Sequence, residues 1–145
     1  MPEHAPSDRG LAQRMQREAA RISSQHRQLD DFHDVVSAAL ARGDAAGARS
    51  AFERFADALE AHLSLEDEFY FPALHGLARE LTPELVALSE EHAALRTGMR
   101  SVADCLATAS PDACASALAG WIAELSAHER REEALLARVQ QPPER

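Results

Sequence analysis

Along most of the chain, buried-type positions recur at alternating spacings of three and four residues. This is the signature of helices that each turn one face inward. Four such seams can be traced. The first is Ile22, His26, Leu29, His33, Val36 and Leu40; the second is Phe52, Phe55, Leu59, His62, Glu66 and Phe69. The third is Leu85, Leu88, His92, Leu95, Met99, Val102 and Leu106; the fourth is Cys114, Leu118, Trp121, Leu125, His128, Glu132 and Leu135. Breakers separate them. Gly43-Asp44 interrupts the first pattern, and Pro72 ends or bends the second. Leu81-Thr82-Pro83 and Ser110-Pro111-Asp112 open the third and fourth, with Thr82 and Ser110 as N-caps ahead of a proline in the first turn. Short connections between long helices imply antiparallel neighbours. The expected fold class is therefore all-α, an up-down-up-down four-helix bundle over residues 9–140, with flexible ends at 1–8 and 141–145.

The two halves of the chain repeat without a gap. His26 to His92, His62 to His128 and Glu66 to Glu132 are each 66 residues apart. The same offset pairs Leu29 with Leu95, Val36 with Val102, Leu40 with Leu106, Phe55 with Trp121, Leu59 with Leu125 and Phe69 with Leu135. The pattern predicts two helical hairpins related by an internal two-fold repeat, each supplying a His and then a His-x-x-x-Glu. His26 lies 17 residues before Gly43 and His62 lies 19 after it. At about 1.5 Å rise per residue the two reach nearly the same height, and the repeat puts His92 and His128 level as well.

Composition agrees with helices. Of 145 residues, 46% are apolar, only 5% are aromatic, and alanine supplies 30. Net charge is −9 from 15 basic and 24 acidic residues, which argues against a nucleic-acid or anionic-membrane partner. No stretch approaches the roughly 18 consecutive apolar residues of a membrane helix. The first residues lack a signal-peptide layout, so a cytoplasmic location is expected. Cys105 and Cys114 are nine apart, outside any CxxC motif, and read as small reduced core residues. The chain has no GxGxxG, P-loop, GxSxG or HExxH motif.

The unusual count is seven histidines. One histidine on an apolar seam is commonly a hydrogen-bonded core residue. Four histidines and two glutamates in register are different, because a buried carboxylate costs several kcal/mol unless it is paired or coordinated. No arginine lies on the seams near this layer; the nearest, Arg96, is off the seam. The set His26, His62, Glu66, His92, His128 and Glu132 points to two metal ions. His26 and His62 would hold one ion, His92 and His128 the other, with Glu66 and Glu132 between them. Imidazoles with bridging carboxylates favour iron or manganese pairs, and the lack of a thiolate ligand lowers the case for structural zinc.

At these residues the sequence resembles the hemerythrin-like (HHE cation-binding) domain family. The matching stretches are ISSQHRQL, HLSLEDEFYFP, EEHAAL and HERREEALL, within a resemblance spanning about residues 15–138. The resemblance implies a non-haem di-iron centre, two iron ions with an oxo or hydroxo bridge, ligated by the six residues above. Its implied partners are small: dioxygen, nitric oxide or peroxide. Oxygen-carrying hemerythrins have a second histidine one turn away on the third helix, where this chain has Leu88 and Arg96. Their last carboxylate is an aspartate five residues after its histidine, whereas Glu132 follows His128 by four. The resemblance is thus to the broader bacterial and regulatory branch. The position left by the absent histidine could be filled by water, Tyr70 or His33.

Tyr70 follows Glu66 by four residues and leans toward the site, as a hydrogen-bond donor, a ligand or packing. His33 is about 10 Å below His26 along the helix, and reads as a core histidine or an outer support of the site. Asp67 and Glu133, directly after the glutamates, support the site from behind or face solvent. His75 reads as a helix-end residue and His4 as part of the frayed N-terminus. The leading functional expectation is a protein that binds or senses a small ligand at a di-iron centre. The alternative is an enzyme acting on peroxide or nitric oxide, or oxidising iron. Ferritin-like Glu-x-x-His pairs are missing from all four site histidines, which counts against iron oxidation. A metal-free helical interaction module would require all six seam polar residues to be satisfied within the chain.

Overall fold

Alanine and leucine carry the chain through long helices with little to interrupt them. The computed structural model describes residues 8–140, and among these there is no strand. The long helices are α1 (Asp8–Ala41), α2 (Ala45–Leu65), α4 (Thr82–Thr108) and α5 (Pro111–Gln140). Between α2 and α4 lie a π turn (Glu66–Tyr70), the short α3 (Phe71–Leu77) and a 3-10 turn (Arg79–Leu81). The long helices form a helical bundle in which α1 packs on α2 and α5, and α4 packs on α2 and α5. Asp8 is already helical, one residue ahead of the expected boundary. The termini expected to fray, residues 1–7 and 141–145, lie outside the described residues, and His4 with them.

The reversal between α1 and α2 has a local cause. Gly43 takes φ +73°, and the N–H groups of Gly43 and Asp44 donate to the carbonyls of Leu40 (3.1 Å) and Ala39 (2.9 Å). This is a Schellman stop, in which glycine occupies the left-handed position that a Cβ would strain. Asp44 then caps α2 by accepting from the Gly47 N–H at 2.8 Å. At the head of α4 the outcome differs from expectation. The cap position is Leu81, and the Thr82 hydroxyl donates backward to the Arg79 carbonyl (2.7 Å) while sharing a hydrogen bond with His75 Nδ1 (2.8 Å). A tight 3-10 turn ahead of Pro83 has already bent the chain, so Thr82 serves that turn.

The seams pack as two apolar clusters. One joins Leu29, Val36, Phe52, Phe55, Leu59, Val102, Leu118 and Trp121 near the α1–α2 and α4–α5 turns. The other joins Met15, Ile22, Tyr70, Phe71, Leu74, Leu85 and Leu135 at the opposite end. Each fully buried Leu, Ile or Phe here contributes about 1.5–3 kcal/mol. The Trp121 ring meets Phe55 edge-on at 5.4 Å and Phe52 at 5.8 Å, and its indole N–H donates to the Leu95 carbonyl at 3.0 Å. That bond requires the indole to lie against the α4 backbone. Gly98 permits it, since a Cβ there would run into the Trp121 ring.

One seam position moves. Phe69, expected inside, is only partly buried and takes the Arg14 guanidinium over its ring at 4.4 Å, while Tyr70 is buried with 1% exposed. The π turn is the reason. The Phe71 N–H reaches back five residues to the Glu66 carbonyl, which adds one residue to the turn and shifts the inward face by one. Pro72 has no N–H to contribute to a regular turn, so the helix bends through a wider one and continues to Leu77.

Candidate metal centre

Six polar side chains fill the layer between the two apolar clusters. His26, His62, Glu66, His92, His128 and Glu132 are all buried, and both glutamates are at 0% exposure. His26 sits on α1, His62 on α2, Glu66 at the start of the π turn, His92 on α4, and His128 with Glu132 on α5. The imidazoles pair by hairpin: His26 and His62 have ring centroids 4.9 Å apart, and His92 and His128 are 4.8 Å apart. The carboxylates lie between the pairs. Glu66 Oε1 is 3.4 Å from His62 Nε2 and 3.3 Å from His92 Nε2. Glu132 Oε1 is 3.0 Å from His26 Nε2 and 3.8 Å from His62 Nε2, while its Oε2 is 3.5 Å from His128 Nε2.

These contacts do not satisfy the groups. Both oxygens of Glu66, both of Glu132 and His26 Nε2 are buried and make no hydrogen bond among the described residues. An unsatisfied buried polar atom costs about 1–3 kcal/mol, so five in one layer mark a place shaped for something further. The donor atoms fall into two sets, each within 4.8 Å: Glu66, His92, His128 and Glu132 in one, His26, His62 and Glu132 in the other. Nitrogen and oxygen donors at this spacing fit metal cations of the iron, manganese and zinc type.

Behind the ring of donors lies a second ring of hydrogen bonds. Each imidazole turns Nε2 inward and holds Nδ1 against an acceptor. His26 Nδ1 meets Glu133 at 3.0 Å, His62 Nδ1 meets Gln25 at 2.6 Å, His92 Nδ1 meets Asp67 at 2.8 Å, and His128 Nδ1 meets Glu91 at 2.6 Å. Such bonds fix the ring orientation and leave the inward nitrogen free to donate its lone pair. Arg96 bonds Asp67 and Glu60, and Arg131 bonds Glu91, so neither arginine neutralises the central glutamates. Asp67 and Glu133 therefore belong to the site. Gln25 and Glu91 were missed by the seam pattern because they lie off the seam, although each directly precedes a seam histidine.

The electrostatics show a layer short of positive charge. Burial, followed by the facing Glu132 carboxylate, pushes the Glu66 carboxyl well above the ordinary range. Burial would also raise Glu132, but the facing Glu66 carboxyl and the surrounding histidines outweigh it and hold that carboxyl well below the range. Burial alone would lower His26; the Glu132 carboxylate, with Glu129 and Glu133 behind it, instead raises it to about 9. Burial lowers His92, and His128 presses in the same direction, with the two Nε2 atoms 3.2 Å apart. Two like-charged carboxylates forced together without a cation divide into one protonated and one ionised.

Of the two outer candidates, one stays near the site. Tyr70 is buried, and burial together with the Glu132 and Glu66 charges pushes its phenol upward. It lines a cavity of about 390 Å³ with Met15, Leu81 and Arg138. His33 is half-buried, hydrogen-bonded to Ser37 at 3.0 Å, and outside both donor sets. Its two-turn separation from His26 keeps it in a different level of the bundle.

A family model described as the Hemerythrin HHE cation binding domain matches residues 17–139, nearly the whole chain. The chain belongs to this family. No curated protein and no solved structure matches it significantly. The HHE assignment and the two donor clusters agree that this is a metal-binding domain. The matched span covers all six donors of the central layer and their four outer partners.

Proposed function

We propose that this HHE domain is an up-down-up-down bundle of two pseudo-two-fold-related hairpins built around a di-iron centre, and that it binds or senses a small ligand such as dioxygen, nitric oxide or peroxide. The observation that carries the reading is the pair of donor clusters sharing Glu132, with five buried donor atoms left without partners. His26 and His62 would hold one ion, His92 and His128 the other, and Glu66 and Glu132 would lie between the ions. When bound, an iron pair supplies redox-active positions at which diatomic ligands or peroxide are taken up. The chain's own residues prepare the place. Glu133, Gln25, Asp67 and Glu91 hold the four Nδ1 atoms, so that each Nε2 is presented inward. The apolar clusters on either side exclude water from the layer.

Metal analysis of aerobically purified protein, with its absorption spectrum, tests this reading. Two irons per chain and a near-ultraviolet charge-transfer band are expected. Zinc alone, or no metal after iron reconstitution, would overturn it. Glu66→Ala should lower iron content; unchanged iron and stability would remove Glu66 from the ligands. Reversible spectral change on adding the ligand marks a binder. Steady peroxide consumption that disappears in His128→Ala would mark the protein as an enzyme instead.

A further inference from the structure

The second ring of hydrogen bonds obeys the 66-residue offset. Gln25 corresponds to Glu91, and Asp67 corresponds to Glu133. The chemistry breaks the symmetry at one place. His26, His92 and His128 are backed by carboxylates; His62 is backed by the neutral amide oxygen of Gln25 at 2.6 Å. A carboxylate behind an imidazole draws on its Nδ1 proton and makes Nε2 a stronger donor, and an amide does so less. Two further differences lie on the same side. The cluster containing His62 has three donors and the other has four. Asp67 and Glu91 are held by Arg96 (3.2 Å) and Arg131 (2.7 Å), whereas Glu133 is nearly half exposed and, among the described residues, takes the Ser23 hydroxyl at 3.2 Å and His26 but no arginine.

We propose that the two metal positions differ in retention. The position formed by His26, His62 and Glu132 is the exchangeable one. The position formed by Glu66, His92, His128 and Glu132 keeps its ion. Gln25 is the positioning residue that keeps the first site weak, acting through His62. This rests on the two-metal reading above.

The test is release of iron from full-length protein loaded anaerobically with two equivalents of iron(II), followed by ferrozine challenge. Two phases of equal amplitude are expected. Gln25→Glu should slow the fast phase about tenfold or more, the usual scale for an outer partner of a metal-bound histidine. Glu91→Gln should accelerate the slow phase and leave the fast one in place. His62→Ala should retain one iron that leaves at the slow rate. Circular dichroism of each loaded variant checks that the helices persist. If both irons leave wild-type protein in one phase, or Gln25→Glu leaves the fast phase unchanged, the inference falls and the two-metal reading stands. If the protein takes up fewer than two irons, that reading falls and the inference with it.

Discussion

Replacing Glu66 by methionine should move stability in opposite directions with and without metal. Glu66 is fully buried, neither of its oxygens makes a hydrogen bond among the described residues, and burial with the facing Glu132 pushes its carboxyl well above the ordinary range. Two unsatisfied atoms at about 1–3 kcal/mol each set a gross cost of about 2–6 kcal/mol, of which local relaxation recovers part. Methionine has a similar volume and no polar atom to satisfy, and buried ionisable groups replaced in this way commonly gain stability. Glu132 remains paired with His26 and His128 after the change. The metal-free variant should therefore be more stable by about 2 kcal/mol, or about 6 °C in Tm for a domain of this size. With metal the order reverses. Wild-type protein gains about 2.7 kcal/mol for each site filled at a hundredfold excess over Kd, and the variant forfeits much of this. Thermal unfolding followed by circular dichroism, in chelator and in excess iron(II) under anaerobic conditions, reads both arms. A lower Tm for the metal-free variant would show that Glu66 is satisfied within the chain, and would break the step from orphaned oxygens to a bound cation.

Three other predictions concern the same layer and its supports. His26 is raised from an ordinary 6.5 to about 9 in the folded, metal-free protein, so its contribution is present below pH 6.5 and lost as pH rises through about 9. That interval corresponds to a loss on the order of 3 kcal/mol, visible as a falling urea midpoint in chelator and absent from metal-loaded protein, where His26 carries no proton on Nε2. Gly98→Ala should cost about 1–3 kcal/mol despite its better helix propensity, because the added methyl displaces the Trp121 ring from the α4 backbone; a Tm unchanged or raised, with unshifted tryptophan emission, would contradict this. Cys105 and Cys114 are free thiols 2.9 Å apart, and burial with the neighbouring thiol pushes Cys114 to about 11. Iodoacetamide at neutral pH should therefore label the partly exposed Cys105 first, and mass spectrometry of peptides taken through the labelling time course gives the order.

The inward face was legible because the chemistry contradicted the pattern. Six polar side chains stood on positions that a helix buries, and the 66-residue offset tied them to one level. Each hairpin's two imidazoles have ring centroids within 5 Å of each other. Two kinds of information were not legible. The π turn depends on how the backbone accommodates Pro72, and periodicity read at 3.6 residues per turn runs straight through it, which is why Phe69 stood in for Tyr70. The outer hydrogen bonds involve Gln25 and Glu91 on flanks that otherwise face solvent, where a polar residue gives no contrast. Their signal was the offset itself, applied to the residue before each first-helix histidine. His33 shows the converse case: it has the spacing of a seam residue, but its level in the bundle gives it Ser37 as a partner.

The bonds that cross from one half of the chain to the other bear on how the halves hold together. His26 leans on Glu133 and Glu132 from the other hairpin, and His92 leans on Asp67 and Glu66. Each hairpin brings the imidazoles of one cluster but borrows a carboxylate for it, so neither is a complete site alone. Ion binding therefore acts as a joint between halves as well as a chemical centre. A single hairpin could complete itself only by meeting another copy, face to face and reversed. In that light the 66-residue repeat describes a two-chain assembly drawn into one chain, with the link through α3 doing the work that concentration would otherwise have to do.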